Sequence, residues 1–325
     1  MKIVIPGGTG HVGTLLAESF HRGGEEVVVL SRNPQPAPWR VVNWDGRSVG
    51  VWAEEIDGAD AVINLAGRSV DCRYNEVNRR EILESRVFST RVLGRVIAKV
   101  RRSPKVWLQM STATIYAHRF DAPNDERTGI IGGIEPEAPA EWRFSIDVAQ
   151  AWERETDLTI CPATRKVKLR TAMVMMPEHG GAFHALLRNI RLGFGRLGDG
   201  KQYMSWIHAD DFVRAIRWLI AHREMSGAVN LASPHPLPNA EFMRALRDEW
   251  GAHLSLPVPR WLLPLGAALF HTETELVLKS RRAVPRRLLE SGFEFSFPDW
   301  RAAAHDLCAR WRGAGGELGE PAPSY

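Results

Sequence analysis

The stretch KIVIPGGTGHVGTLLAESFHR, residues 2–22, combines a short apolar run, a glycine-rich turn and an amphipathic segment. Residues 2–6 are apolar and β-branched, which predicts a buried strand, and the apolar spacing of residues 14–22 predicts a helix. The glycines between them satisfy a G-x-G-x-x-G spacing at Gly8, Gly10 and Gly13, and a G-x-x-G-x-x-G spacing that starts at Gly7. A strand, a glycine-rich turn and a helix in this order are typical of a diphosphate-binding turn.

The physical reason is that a diphosphate needs backbone N–H donors at close range. Residues without a Cβ allow that approach, and the N-terminus of the following helix adds about half an elementary positive charge. A glycine-rich turn without a ligand is the alternative. The residues predicted to contact the diphosphate are Gly7, Gly8, Thr9, Gly10, His11, Val12 and Gly13.

Short β-branched runs recur after this motif. They alternate with segments whose apolar residues have the spacing of a helix. Strands are predicted at residues 26–32, 60–67, 106–113 and 167–175, and helices at residues 11–23 and 76–102. Right-handed crossovers place helices on both faces of a parallel sheet. The alternation therefore predicts an α/β fold with a doubly wound parallel sheet of the Rossmann type, whose ligand lies beyond the carboxyl ends of the strands.

Three regions are predicted along the chain. Residues 1–175 form the nucleotide-binding core, to which a strand near residues 228–232 returns. Residues 176–312 form a smaller, mostly helical C-terminal lobe for the substrate, because glycines break the alternation there and prolines punctuate the later helices. Residues 313–325 are rich in Gly, Pro and Ala and are predicted to be a disordered tail.

The composition is that of an ordinary globular protein, with 44% apolar and 25% charged residues among 325. A net charge of +4 is too small and too dispersed to indicate nucleic-acid binding, and no apolar run approaches the length of about 18 residues that a membrane helix needs. The three cysteines are far apart and lack metal-ligand spacing, which fits a reducing cytoplasm. A small-molecule substrate is the expected partner, and the oligomeric state stays open.

The densest basic segment, residues 279–287, holds five cations. This pattern favours a solvated helix face. An anion site or a partner site is the alternative.

The end of the second predicted strand indicates which dinucleotide the turn would hold. NAD-binding folds place an acidic residue there, about 20 residues after the glycines, to bind the ribose 2′-hydroxyl. This chain instead has Ser31 and Arg32. A guanidinium beside a hydroxyl suits a 2′-phosphate through charge-assisted hydrogen bonds, so NADP(H) is the predicted cofactor. The alternative is that Arg32 is only a solvated residue at the end of the strand and binds no phosphate.

Two later strand ends carry small or hydroxyl-bearing residues. Leu65, Ala66 and Gly67 allow the backbone to approach a ligand at the sheet edge, although a plain tight turn would use them too. Ser111 and Thr112 place hydroxyls where a nicotinamide is expected, and helix caps and turns are the alternative explanation.

These motifs, in this order, resemble the extended or atypical short-chain dehydrogenase/reductase family. The branch of epimerase family proteins with a C-terminal domain of unknown function is the most similar, and the resemblance covers nearly all of the chain except the tail. The residues that carry it include Trp44-Asp45, Ser85-Arg86, Trp152-Glu153, Arg170-Thr171, Ser205 to His208 and Leu256 to Leu307. It implies that Arg170 joins the cofactor site, and that the protein is an NADP(H)-dependent oxidoreductase or epimerase acting on a small polar, sugar-like substrate.

The departure from the family pattern concerns catalysis. Counting back from Glu153, the family's catalytic tyrosine and lysine positions hold Ser145 and Ala149. The tyrosine normally serves as acid or base because nearby positive charge lowers its pKa, and serine cannot replace it. The remaining catalytic candidates are Thr112 and Tyr116. A non-catalytic NADP(H)-binding sensor or regulatory module is the alternative function.

A metal site is not expected. His208, Asp210 and Asp211 form a cluster of metal-ligating residue types, but the family resemblance indicates that this stretch has a structural role.

Overall fold

The computed structural model describes residues 1–135, 138–259 and 275–314. Its central sheet has seven strands: β1 (Lys2–Pro6), β2 (Glu26–Ser31), β3 (Arg40–Asn43), β4 (Ala61–Asn64), β5 (Val106–Thr112), β6 (Arg165–Thr171) and β11 (Gly227–Leu231). Their order across the sheet is β11-β6-β5-β4-β1-β2-β3. The pairs among β1 to β6 are parallel, and this order is that of dinucleotide-binding folds, so the predicted doubly wound parallel fold is confirmed.

The helices are α1 (His11–Arg22), α2 (Glu76–Ile97), α3 (Arg143–Leu158), α4 (Ala182–Arg191), α5 (Ala209–Ala221), α6 (Asn239–Trp250), α7 (Glu275–Leu278), α8 (Arg286–Glu290) and α9 (Trp300–Gly313). Short 3-10 turns span Val51–Glu55, Ala113–Ile115 and Ala140–Trp142. On one face of the sheet, Val4 and Val62 pack against Leu93 of α2 in a continuous apolar core. A parallel sheet needs such cover because it is apolar on both faces.

The chain divides into two compact units. The first comprises residues 1–115, 136–171 and 213–229, and the second comprises residues 116–135, 172–212 and 230–325. Short strands of the second unit pair β7 (Met173–Met175) with β10 (Trp206–His208), β9 (Tyr203–Met204) with β12 (Leu237–Pro238), and β8 (Phe194–Leu197) with β13 (Leu256–Val258). Its core contains the fully buried side chains of Trp206, Phe242 and Trp300.

These units differ from the division at residue 175 that the sequence suggests. Residues 116–135 belong to the second unit because Asn124 forms hydrogen bonds with the backbone of Arg282 and Val284, far along the chain. Residues 213–229 belong to the first unit, where β11 joins the sheet beside β6. Helix α9 continues to Gly313, while residues 315–325 of the predicted tail lie outside the described residues.

The strands of the central sheet differ from the sequence prediction at two places. Strand β3 was not predicted because its residues at the sheet edge are at most half-buried and lack a strong apolar pattern. The predicted strand at residues 167–175 is instead two strands, β6 in the central sheet and β7 in a separate pair with β10.

No helix in the described part of the chain is long and apolar enough to cross a membrane.

The solvated helix face predicted for residues 279–287 is wrong. Lys279 is 1% exposed and Arg281 is 8% exposed, and the helical part of this segment begins only at Arg286. Residues 282–284 instead run alongside Asn124 and exchange backbone hydrogen bonds with it. Burial lowers the pKa of the Lys279 ammonium to about 8.

Candidate functional site

Three glycines of the glycine-rich motif after β1 are required by packing within the protein itself. Gly7 has a φ of +75°, and a Cβ there would lie 2.7 Å from the Ala66 backbone. A Cβ at Gly8 would lie 2.9 Å from the carbonyl oxygen of Ile5. A Cβ at Gly13 would lie 2.5 Å from the Cα of Gly8. The turn is therefore packed tightly between the end of β4 and the first turn of α1.

Gly10 has no such packing requirement. A Cβ at this position would meet no protein atom within 4 Å, and its φ of −78° is open to any residue. Gly10 is the N-cap of α1, where no side chain caps the helix and no acidic residue occupies the first turn. The first N–H groups of a helix lack intrahelical partners. Open space therefore lies before an uncapped, partially positive helix end, an arrangement that fits a diphosphate.

The ends of β1 and β2 are joined by hydroxyl groups. Ser31 is buried, and its Oγ lies 3.2 Å from Oγ1 of Thr9 and accepts a hydrogen bond from the backbone N–H of Asn33. Arg32, the next residue, is exposed. The structure thus brings Thr9 and Ser31 together and leaves the Arg32 guanidinium accessible at the end of the strand.

The segment after β4 lies directly against the glycine turn. The backbone N–H of Leu65 donates to the carbonyl oxygen of Pro6, and that of Ala66 donates to Oδ1 of Asn64. The close approach of Ala66 to Gly7 places the loops after β1 and β4 side by side. Gly67 follows and packs against the guanidinium of Arg86.

At the end of β5, two predicted cofactor ligands already have a protein partner. Ser111 donates from Oγ to Oε1 of Glu153 at 2.8 Å. Arg170 binds the same carboxylate through Nε and Nη2, at 2.8 and 2.9 Å. Their contact with a cofactor stays a prediction, while the observed contacts tie α3 to β5 and β6. The Trp152-Glu153 pair quoted above was the signal in the sequence for this role.

Replacing Glu153 by Gln is expected to lower the free energy of unfolding by about 1–3 kcal/mol, because the Arg170 guanidinium then loses its buried counter-charge. Urea denaturation measures the change. The exposed pair of Glu84 and Arg47 provides the control, since Glu84→Gln should cost at most about 1 kcal/mol. Equal losses in the two variants would contradict the role assigned to Glu153.

The two catalytic candidates both have hydrogen-bond partners within the protein. Thr112 is half-buried, and its Oγ1 accepts a hydrogen bond from the backbone N–H of Thr114 at 3.1 Å. Tyr116 is only 2% exposed, and its hydroxyl donates to Oδ1 of Asn230 at 2.8 Å. The amide of Asn230 in turn donates to the carbonyl oxygen of Val284. The phenol of Tyr116 is thus part of a buried hydrogen-bond chain.

We expect Tyr116→Phe to lower the free energy of unfolding by about 1–3 kcal/mol, because the buried Oδ1 of Asn230 loses its donor. Any NADPH-linked rate should change less than tenfold, whereas loss of an acid or base would cost about 10²- to 10⁴-fold. Urea denaturation and NADPH oxidation with a metabolite mixture measure the two effects.

Tyr203→Phe is the matched control, since the Tyr203 hydroxyl has no hydrogen-bond partner among the described residues. A large rate loss in Tyr116→Phe alone would show that Tyr116 acts as the acid or base.

The positions of the family's catalytic pair lie on α3. Ser145 is half-buried and Ala149 is fully buried. A lysine at position 149 would have to displace core side chains, so the missing ammonium cannot be restored by a simple substitution.

The residues considered for a metal have protein partners instead. Buried His208 lies 3.1 Å from Asp306 through Nε2, and Asp210 binds Arg310. Asp211 accepts the backbone N–H groups of Ser296 and Phe297. No group of three or more metal-ligating side chains occurs within residues 1–135, 138–259 and 275–314.

Comparison with known proteins decides the family. Residues 3–232 match the model described as the NAD dependent epimerase/dehydratase family. The chain belongs to this family. Residues 258–307 match a domain of unknown function, DUF1731, so the resemblance found in the sequence is confirmed at both ends of the chain.

Relatives within the NAD dependent epimerase/dehydratase family match the chain over almost its whole length. Epimerase family protein YfhF of Bacillus subtilis is 31% identical over 317 residues, covering 95% of this chain and 98% of the relative. Epimerase family protein SDR39U1 of Homo sapiens is 29% identical over 313 residues, covering 95% of this chain and all of the relative.

Two solved structures are also similar to this chain. Human SDR39U1 isoform 2, solved with NADPH, has a TM-score of 0.82 and 28% identity, covering 95% of this chain and 99% of that chain. A nucleoside-diphosphate sugar epimerase from Corynebacterium glutamicum has a TM-score of 0.74 and 26% identity, covering 99% of this chain and 62% of that chain.

Proposed function

We propose that this chain binds NADP(H) and acts as an atypical NADP(H)-dependent oxidoreductase or epimerase on a small polar substrate. The observation that carries the proposal is the open space at Gly10, before an uncapped helix end and beside a strand end that carries Ser31 and Arg32. The human relative solved with NADPH supports the same cofactor.

In this proposal the backbone N–H groups of residues 9–13 hold the diphosphate. Ser31 and Arg32 bind the 2′-phosphate, since a hydroxyl and a guanidinium both donate hydrogen bonds to phosphate oxygens. Residues 65–67 approach the dinucleotide with their backbone, and Ser111 and Arg170 line its far end. NADP(H), when bound, supplies or accepts hydride.

The protein's own contribution to chemistry is limited. In this proposal Thr112 orients a substrate hydroxyl or carbonyl, but α3 lacks the phenol and the ammonium that usually transfer protons. A positioned acid or base contributes about 10²- to 10⁴-fold to the rate. Without it, turnover should be slow, but the cofactor and the substrate can still react when they are held in reacting geometry.

A second function, a non-catalytic NADP(H) sensor or regulatory module, is favoured by two observations. Ser145 and Ala149 replace the catalytic pair, and the phenol of Tyr116 already donates to Asn230. Such a protein would bind the cofactor and report its redox state through a partner.

Calorimetry of the purified chain with NADPH and with NADH tests the cofactor, and native mass spectrometry shows which nucleotide and metabolite accompany it. Tighter binding of NADPH is the expected result, and equal binding of both would overturn the proposal. NADPH oxidation on addition of a metabolite extract would support the enzyme, whereas binding without exchange would support the sensor.

The expected location is a reducing cytoplasm. Cys72, Cys161 and Cys308 form no disulfide bond within the described residues, which supports this expectation.

A further inference from the structure

Arg86 of α2 extends its side chain to the segment that follows β4. A Cβ at Gly67 would lie 3.0 Å from the Cζ of Arg86 and 3.3 Å from its Nε. The guanidinium carbon also lies 5.0 Å from the centre of the Trp152 ring. The planar cation therefore lies close both to a backbone that lacks a side chain and to an aromatic ring.

The hydrogen bonds of Arg86 leave part of its guanidinium unused. Nη1 donates to the carbonyl oxygens of Arg68 and Ile82, both at 3.0 Å. Within residues 1–135, 138–259 and 275–314, Nε and Nη2 have no acceptor, and no carboxylate pairs with this side chain. A guanidinium carries five N–H donors in a fixed fork, so these two nitrogens keep donors for an oxyanion.

Three neighbouring arginines pair with carboxylates, whereas Arg86 has no carboxylate partner among the described residues. Arg91 of the same helix binds Glu155 through two nitrogens, and Arg68 and Arg47 also pair with glutamates. A partly desolvated cation without a counter-charge is unfavourable, and an anionic ligand would supply that charge.

The environment keeps the cation in place but accessible. Desolvation lowers the pKa of the Arg86 guanidinium to about 10, so it remains charged at neutral pH, and its side chain is still partly accessible to solvent. The Trp152 ring is itself fixed by a hydrogen bond from Nε1 to Oγ1 of Thr90 at 3.1 Å.

The position of Arg86 relative to the strands of the sheet indicates which kind of oxyanion it would bind. Gly67 follows β4, and Glu153, the neighbour of Trp152, binds Ser111 at the end of β5. The glycine turn follows β1 and Arg32 follows β2, on the other side of β4 in the strand order. Arg86 thus lies on the side of β4 away from the groups proposed for the cofactor's phosphates.

We propose that Arg86, supported by Gly67 and Trp152, binds a carboxylate or phosphate group of the substrate. This inference rests on the proposed function, and it narrows the substrate from a small polar molecule to a small anionic one.

Two probes, sodium phosphate and sodium malonate, test this site at constant ionic strength. They are titrated into the chain with and without saturating NADP⁺, and the thermal midpoint Tm is measured. The unmodified chain should show a saturable rise in Tm with at least one anion. Arg86→Gln should bind that anion about 10- to 100-fold more weakly, and Arg86→Lys should weaken it less because it keeps the charge. Arg95→Gln, at an exposed arginine of the same helix, should behave like the unmodified chain.

Binding of NADPH separates this inference from the proposed function. Arg86→Gln should bind NADPH with nearly the affinity of the unmodified chain, which also shows that the variant is folded. A fall of tenfold or more in NADPH affinity would assign Arg86 to the cofactor and overturn the inference, as would the absence of any saturable anion response in the unmodified chain. If the unmodified chain fails to bind NADPH, the proposed function fails, while the titration without NADP⁺ still tests Arg86.

Discussion

Replacing Gly10 by Val is expected to weaken NADPH binding by roughly 100-fold or more while the chain still folds. The new side chain would enter the open space before α1, where no protein atom lies within 4 Å of a Cβ, and would exclude a phosphate from it. Losing two charge-assisted hydrogen bonds of about 1.5 kcal/mol each corresponds to a loss of roughly 100-fold or more in affinity. Calorimetry measures the binding, and circular dichroism with urea denaturation measures the fold.

Gly13→Ala provides the contrast. A Cβ at Gly13 would lie 2.5 Å from the Cα of Gly8, so this variant should lose stability itself. A folded Gly10→Val variant that binds NADPH as tightly as the unmodified chain would show that the glycine turn does not hold the diphosphate.

Replacing Arg32 by Asp is expected to weaken NADPH binding by about 30- to 1000-fold, because the 2′-phosphate loses a cation and faces a carboxylate instead. Binding of NADH should change much less, since NADH has no 2′-phosphate. Titrations of both dinucleotides at two ionic strengths measure the effect, and the preference for NADPH should decrease as salt increases.

Arg32→Gln separates the two causes. It removes the cation without adding a negative charge, so its NADPH affinity should fall between those of the unmodified chain and the Asp variant. Unchanged NADPH affinity in both variants would leave Arg32 as a solvated residue at the end of β2.

The sequence alone was enough to predict the sheet and the glycine turn. Apolar periodicity and the absence of a Cβ are local properties, and they are expressed within one strand, turn or helix. That is why β1, α1 and the ends of β2, β4 and β5 were located within a few residues. Strand β3, at the edge of the sheet, could not be predicted because it buries too little apolar surface to produce such a pattern in the sequence.

Which side chains are already engaged was decided only by the tertiary structure. Ser111 and Glu153 are 42 residues apart, and Tyr116 and Asn230 are 114 apart, so no local spacing predicts that they meet. The same applies to Arg86, whose surroundings come from α2, α3 and the loop after β4. The sequence determined where the glycine turn and the strand ends lie, because these depend on local residue types. Packing between distant segments determined which polar groups are paired with one another, because a buried hydrogen bond needs both partners in place.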